Sequence, residues 1–161
     1  MMQIVPLTVR RANDFVEQWH RHSARTANDG GKFAVGLEHE GELVGVAIVG
    51  RPVARLLQSG QQYPAELLRL CVSPECPKGG PGKLYARARR IWQLMGGTHF
   101  HTYTLTRETG AVMRGVGFND SDAVPVPGGK QWTRPSRPRP RDPLTAEPKL
   151  RWSEELPGVP V

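Results

Sequence analysis

Cysteine is scarce in this sequence: Cys71 and Cys76 are the only two in 161 residues. They form no C-x2-C pair, have no ordered histidine spacing beside them, and are too few for a secreted disulfide scaffold. No metal is expected, and a reducing cytoplasmic setting is. Long apolar runs are also missing. No stretch approaches the roughly 18 residues of a membrane span, and Met1 to Arg11 contains no apolar core of signal-peptide length. The expectation is a soluble chain with no membrane partner. No internal repeat is visible, which sets aside solenoids and propellers. Acidic residues are in deficit, 15 against 22 Lys and Arg, for a formal net charge of +7. That balance favours an anionic partner, such as nucleic acid or a phosphorylated cofactor.

A chain of this length can bury roughly 70% of the surface its unfolded form exposes, so one domain with a real core is expected. Composition changes after Phe118, where Pro125, Pro127, Gly128 and Gly129 lead into Pro135, Pro138, Pro140 and Pro143. The reading is a globular body over 1–122 and an extended Pro- and Arg-rich tail over 123–161. Between Ala123 and Arg141 the tail holds Lys130, Arg134, Arg137, Arg139 and Arg141 with no acidic residue, and Trp132 lies among them. A solvated linker, docking of Trp132 and Trp152 on the body, and contact with nucleic acid all suit that mixture.

Within the body, Ala12, Phe15, Val16 and Trp19 repeat at the spacing of one helical face, with Thr8 as N-cap, which predicts a helix over 9–22. Phe33 to Leu37 and Leu43 to Val49 read as strands joined by a polar turn, an antiparallel hairpin. The stretch 51–57 reads as irregular or partly stranded. Glu66 to Val72 reads as a buried strand that Pro74 and Pro77 stop. Leu84, Ala88, Ile91, Trp92 and Met95 predict a helix over 83–95, closed by Gly96 and Gly97. His99 to Leu105 reads as a strand and Glu108 to Gly115 as a short helix. Strand, glycine turn, helix, strand is a βαβ unit, so part of the sheet should be parallel.

Between the strand and the second helix lie Lys78, Gly79, Gly80, Pro81, Gly82 and Lys83. Glycines there let a backbone approach a phosphate, and a helix N-terminus offers unpaired N–H groups. The spacing G-x4-G-K-[ST] is not met, so a Walker-type nucleotide site is not indicated. The order of elements, with Leu43-Val44-Gly45-Val46-Ala47, then Leu70-Cys71-Val72-Ser73-Pro74, the glycine loop and Gly117-Phe118, resembles the GNAT acetyltransferase superfamily across about two-thirds of the chain. The resemblance implies an α/β (α+β) fold: a mixed central sheet with an antiparallel N-terminal hairpin and flanking helices. It implies acetyl-CoA or another acyl-CoA as cofactor, with Leu70 and Val72 along the pantetheine and Gly79, Gly80, Gly82 and Lys83 at the phosphates. The family loop usually reads (Arg or Gln)-x-x-Gly-x-(Gly or Ala). Here Pro77 takes the first position, and Pro81 has no N–H to donate. Met113 falls where the family often keeps a tyrosine acid, and Thr106 near where an asparagine is common.

Trp19-His20-Arg21-His22-Ser23, Gly45 to Pro52, Glu66 to Cys71, Thr102-Tyr103-Thr104-Leu105 and, in the tail, Gly129 to Arg137 resemble a phage-associated branch of GNAT-like proteins. That branch is similar in layout to the Mom DNA-modification proteins, which implies adenine in DNA as a second candidate acceptor.

Transfer of an acyl group to an amine needs a base for the attacking nitrogen, donors for the oxyanion and an acid for the leaving thiolate. Glu66 opens the cofactor strand, where the superfamily often keeps a base; it can equally pair with Arg69 or stand in solvent. Strict alternation puts Arg69 on the opposite face from Glu66, so pairing requires a twist or bulge. His20 and His22 end the first helix. They either serve its C-terminus as cations or contact an acceptor, and they diverge by about 200° on a helix, which separates them as metal ligands unless the helix has already ended. Tyr103 shares a strand face with His101 and Leu105, and is either the replacement acid or a core residue with a bonded hydroxyl. Glu108 either caps the short helix or meets substrate. Cys71 reads as a buried strand residue, and Cys76 has no identified histidine partner.

The sequence therefore leads to an acyl-CoA-dependent N-acyltransferase acting on a small-molecule or protein amine, with Glu66 and Tyr103 catalytic and His20, His22, Arg69 and Glu108 at the substrate. Two other readings stand beside it: a Mom-like DNA-modifying enzyme, and a non-catalytic protein that holds nucleic acid or another protein through its basic tail.

Overall fold

The computed structural model describes residues 1–20, 24–128, 135–136 and 147–159, with Arg55 and Leu56 described by backbone only. Among the described residues there are seven strands, β1 (Met2–Leu7), β2 (Phe33–His39), β3 (Glu42–Gly50), β4 (Pro64–Val72), β5 (His99–Leu105), β6 (Ala123–Val126) and β7 (Lys149–Glu155). They form one sheet in the order β1-β2-β3-β4-β5-β7-β6. Four helices among the described residues accompany it: α1 (Val9–Trp19), α2 (Arg55–Gly60), α3 (Gly80–Leu94) and α4 (Ala111–Gly115). The pair β4 and β5 runs parallel, and the other five pairings are antiparallel.

Helix α1 starts where the sequence places it: the Thr8 hydroxyl accepts the Arg11 N–H at 3.1 Å. It ends at Trp19, with His20 as C-cap in extended backbone, rather than running on to residue 22. Its buried face carries Ala12, Phe15 and Val16 onto Ala34, Val46, Ile48 and Cys71 of the sheet. Asn13 is also fully buried there. Its amide donates to Thr26 Oγ1 and Asp29 Oδ1, each at 2.9 Å, and accepts the Thr26 N–H at 2.9 Å. A buried amide so satisfied ties the segment after α1 to the helix.

The hairpin of β2 and β3 closes through Glu40 and Gly41, whose φ angles of 52° and 80° make the two-residue turn that matches strand twist. On the other sheet face α3 buries Leu84, Tyr85, Ala88 and Trp92 against Val35, Leu37, Ala47, Val49, Leu67 and Phe100. The amides of Gly96 and Gly97 return to the Gln93 and Trp92 carbonyls at 3.0 and 2.9 Å, which ends the helix at the two glycines.

Several elements depart from the sequence reading. Strand β1, diluted by Gln3 and Pro6, exists as an edge strand paired with β2. The stretch 51–57 is irregular up to Ala54, as read, and then enters helix α2 rather than a strand. The helix expected from Glu108 begins at Ala111. The segment 123–161, read as a tail outside the body, supplies β6 and β7, and β7 lies inside the sheet between β5 and β6. Trp152 is 2% exposed in the main core and donates from Nε1 to Thr104 Oγ1 at 2.9 Å. Trp132 and all five basic residues of the run around it lie outside the described residues. Among the described residues no helix is long and apolar enough to cross a membrane.

Candidate active site

The sheet opens at one place. β4 and β5 pair only at Pro64 with His99, Ala65 with Phe100 and Glu66 with His101. Beyond that point Leu67 to Val72 keep their ladder to β3, while His99 to Leu105 pair with β7. Two parallel neighbours that diverge leave a wedge lined on one side by the outer backbone edge of β4. Leu70 and Val72, assigned to an elongated ligand arm, lie along this edge. Their side chains pack on the α3 core, so what they offer the wedge is backbone.

At the end of β4 the chain turns into α3. Gly79 is the N-cap with φ 91°, a backbone that favours glycine. Gly80 is buried, and a Cβ there would collide with Cys76 Sγ and come within 3.1 Å of Leu37. Its N–H goes to the Pro77 carbonyl at 3.1 Å, the Lys83 N–H goes to the Gly79 carbonyl at 3.0 Å, and Pro81 has none. The amides of Gly79 and Gly82 are therefore the ones left at this terminus, with no partner among the described residues. Their position suits an anion. The Lys83 ammonium donates to the Met2 carbonyl at 3.1 Å, so its charge is held at the margin of the turn rather than over it.

Glu66 lies at the fork of the wedge and is 7% exposed. Its Oε1 accepts the Val53 N–H at 3.2 Å. Burial pushes the carboxyl up to about 7, against smaller opposing effects of that hydrogen bond and of the Arg69 and Lys149 charges. Arg69 reaches the same face because the strand bulges: Leu67 pairs with Val49 and Arg69 with Ile48, leaving Leu68 as an extra residue. The Arg69 guanidinium donates to the carbonyls of Ala24 and Leu68, both at 2.7 Å. It acts on Glu66 through space while bracing the segment after α1.

Tyr103 stands two residues past the fork on β5. Burial and the nearby Glu66 charge raise its pKa, with the Arg151 charge and hydrogen bond opposing. The phenol is therefore protonated at neutral pH and available as a donor. His101, between Glu66 and Tyr103, is 1% exposed. Its ring bonds Ser153 Oγ and Gln61 Oε1, each at 2.8 Å. Burial first, then the Arg151 and His99 charges, push it down to about 4, which keeps it neutral.

The His20 backbone N–H closes α1 on the Val16 carbonyl at 2.9 Å, and His22 lies outside the described residues. Glu108 caps no helix; its Oε1 accepts the Leu105 N–H at 2.7 Å and secures the turn that leaves β5. Met113 is 2% exposed in the core. Cys71 is buried, its thiol pushed up to about 11, and burial raises Cys76 as well, so neither is a ready nucleophile. Among the described residues no group of three or more His, Cys, Asp or Glu is arranged to hold a metal ion.

Sequence reasoning missed Ser153, Arg151 and Lys149 because they come from β7. A signal was present: Lys149-Leu150-Arg151-Trp152-Ser153 alternates polar and apolar, the period of a half-buried strand.

No family model and no curated protein sequence matches the chain. The fold does match solved structures, and it is the GNAT acetyltransferase fold. The ribosomal-protein-S18-alanine N-acetyltransferase from Escherichia coli superposes with a TM-score of 0.66 at 14% identity, over 100% of this chain and 97% of that one. A GNAT family acetyltransferase from Elizabethkingia anophelis with acetyl-CoA bound gives 0.62 at 14% identity, over 96% and 98%. A Bacillus subtilis acetyltransferase in complex with CoA gives 0.63 at 11% identity, over 96% and 97%.

Proposed function

We propose that the protein is an N-acyltransferase that uses an acyl-CoA held in the wedge between β4 and β5. The observation that carries this reading is the position of Glu66: a buried carboxyl poised near neutrality at the point where two parallel strands separate, with the phenol of Tyr103 on the same face. Solved proteins of this fold that contain acetyl-CoA or CoA support the choice of cofactor. The outer edge of β4 from Leu67 to Val72 would hold the pantetheine arm, and the amides of Gly79 and Gly82 the pyrophosphate. Bound there, the cofactor supplies an acyl thioester as electrophile.

The residues of the chain do the rest. Glu66, ionised, takes the proton from the attacking ammonium or amine; a base with a pKa near the working pH is the efficient choice. Neutral His101, locked between Gln61 and Ser153, fixes the β5 side of the fork. Tyr103 donates its proton to the departing sulfur, the place Met113 cannot fill. Titration with acetyl-CoA tests the reading directly. Ligand at 100 times its Kd adds about 2.7 kcal/mol of stability, which a melting curve registers. No rise in melting temperature at millimolar acetyl-CoA refutes it.

A further inference from the structure

The face of the sheet that carries Glu66 and Tyr103 extends onto β7, and its charge there is positive. On β5, Phe100 belongs to the core under α3, and so do Leu150, Trp152 and Leu156 at the end of the chain. The alternate residues His101 and Tyr103 of β5, and Lys149, Arg151 and Ser153 of β7, therefore share the opposite face. The His101 bond to Ser153 confirms this. Tyr103 and Arg151 are direct cross-strand partners, and Leu105 pairs with Lys149. Beyond Arg151, β6 presents Val124, 42% exposed, so among the described residues nothing closes the face on that side. The Nε of Arg151 is buried and has no acceptor among the described residues. An unpaired buried donor of a guanidinium is costly unless something satisfies it. Apart from Glu66, the acidic residue on this face of β7 is Glu155, at the far end opposite His99.

We infer that the acceptor amine carries an anionic group, a carboxylate or phosphonate, which Arg151 binds with help from Lys149. The inference rests on the acyltransfer reading and names the substrate class of that same site. Arg151 is one strand spacing, about 5 Å, from Tyr103. Amine and anion must then be a few bonds apart, as in an amino acid or an aminophosphonate. An adenine amine in DNA is separated from the nearest phosphate by the base and the sugar, which does not fit that spacing. A planar guanidinium suits a carboxylate by two parallel hydrogen bonds, whereas an ammonium does not.

Matched pairs of acceptors test this: histidine and histamine, tyrosine and tyramine, arginine and agmatine, each assayed with acetyl-CoA for release of coenzyme A. The anionic member of at least one pair is expected to react with a kcat/KM tenfold or more above its decarboxylated partner. Arg151→Gln should bring that ratio close to one through a rise in KM, and Arg151→Lys should restore part of it. A purely structural role for Arg151 would lower both members equally and leave the ratio intact, which overturns the inference. So does equal or better use of the decarboxylated amines, transfer to none of the panel, or modified nucleosides in DNA incubated with protein and acetyl-CoA. Absence of acetyl-CoA binding in the melting assay would instead overturn the acyltransfer reading beneath it.

Discussion

Replacing Glu66 by Gln separates its catalytic duty from its cost to the fold. The carboxyl sits at about 7 in the native protein against an ordinary value of 4.5. Because the folded value lies above the unfolded one, the native state is favoured by the bound proton. That stabilisation is complete below 4.5 and is lost as pH rises through 7. A displacement of this size corresponds to about 3 kcal/mol. Gln keeps the shape and can still accept the Val53 N–H, but never ionises. The variant should therefore melt close to wild type at pH 4 and above it at pH 8, by about 5–10 °C for a chain of this size. Activity should move the other way. Wild-type kcat/KM is expected to climb with pH through 7 and level off as Glu66 ionises. The variant should lose that limb and fall about 10²- to 10⁴-fold. Melting curves and initial rates from pH 4 to 9 measure both. An E66Q protein that keeps a tenth of the wild-type rate, or a wild-type profile flat between pH 6 and 8, refutes Glu66 as base. Equal melting differences at pH 4 and pH 8 refute the buried, protonated carboxyl.

Tyr103→Phe should lower kcat about 10²- to 10⁴-fold while leaving the acetyl-CoA-induced rise in melting temperature unchanged; loss of that rise would move Tyr103 from acid to cofactor contact. Gly80→Ala drives a methyl into Cys76 and should cost about 1–3 kcal/mol and weaken acetyl-CoA binding. The double variant with Cys76→Gly should recover most of both, and simple additivity of the two changes argues against the contact. Trp152→Ala removes a core aromatic, and about 3–5 kcal/mol should go with it in urea unfolding. Ending the chain at residue 122 uncovers the β5 edge and takes Trp152 away, so the fragment should lack a cooperative transition.

The features legible in the sequence are those encoded locally. Thr8 and the Ala12, Phe15, Val16 face specify the start and packing of α1; the polar turn at Glu40 and Gly41 specifies the hairpin. The glycine loop followed by the Leu84, Ala88, Trp92 stripe specifies α3. The β4-α3-β5 order requires a parallel pair because a helix-length crossover brings the second strand back in the same direction. Leu70, Val72 and the glycines could be placed along one path, since they follow one another in the chain. Glu66 could be named as a candidate but not given a state. Its elevated pKa comes from elements far away in sequence that bury it.

Tertiary structure alone decided the rest, and the reason is sequence distance. The bulge at Leu68 turns Arg69 toward Glu66, and a bulge is fixed by the partner strand as much as by the strand that carries it. β7 finds its place between β5 and β6 through pairing with residues 44 to 56 positions earlier in the chain; its local alternation marks a strand but not the partner. That pairing sets Arg151 beside Tyr103, and Ser153 against His101. By itself the sequence determined a mixed sheet with a glycine-turned helix and a basic excess. Only the assembled sheet determined where that positive charge meets the buried carboxyl, because the two come from strands on either side of β5 that are brought together only when the whole core forms.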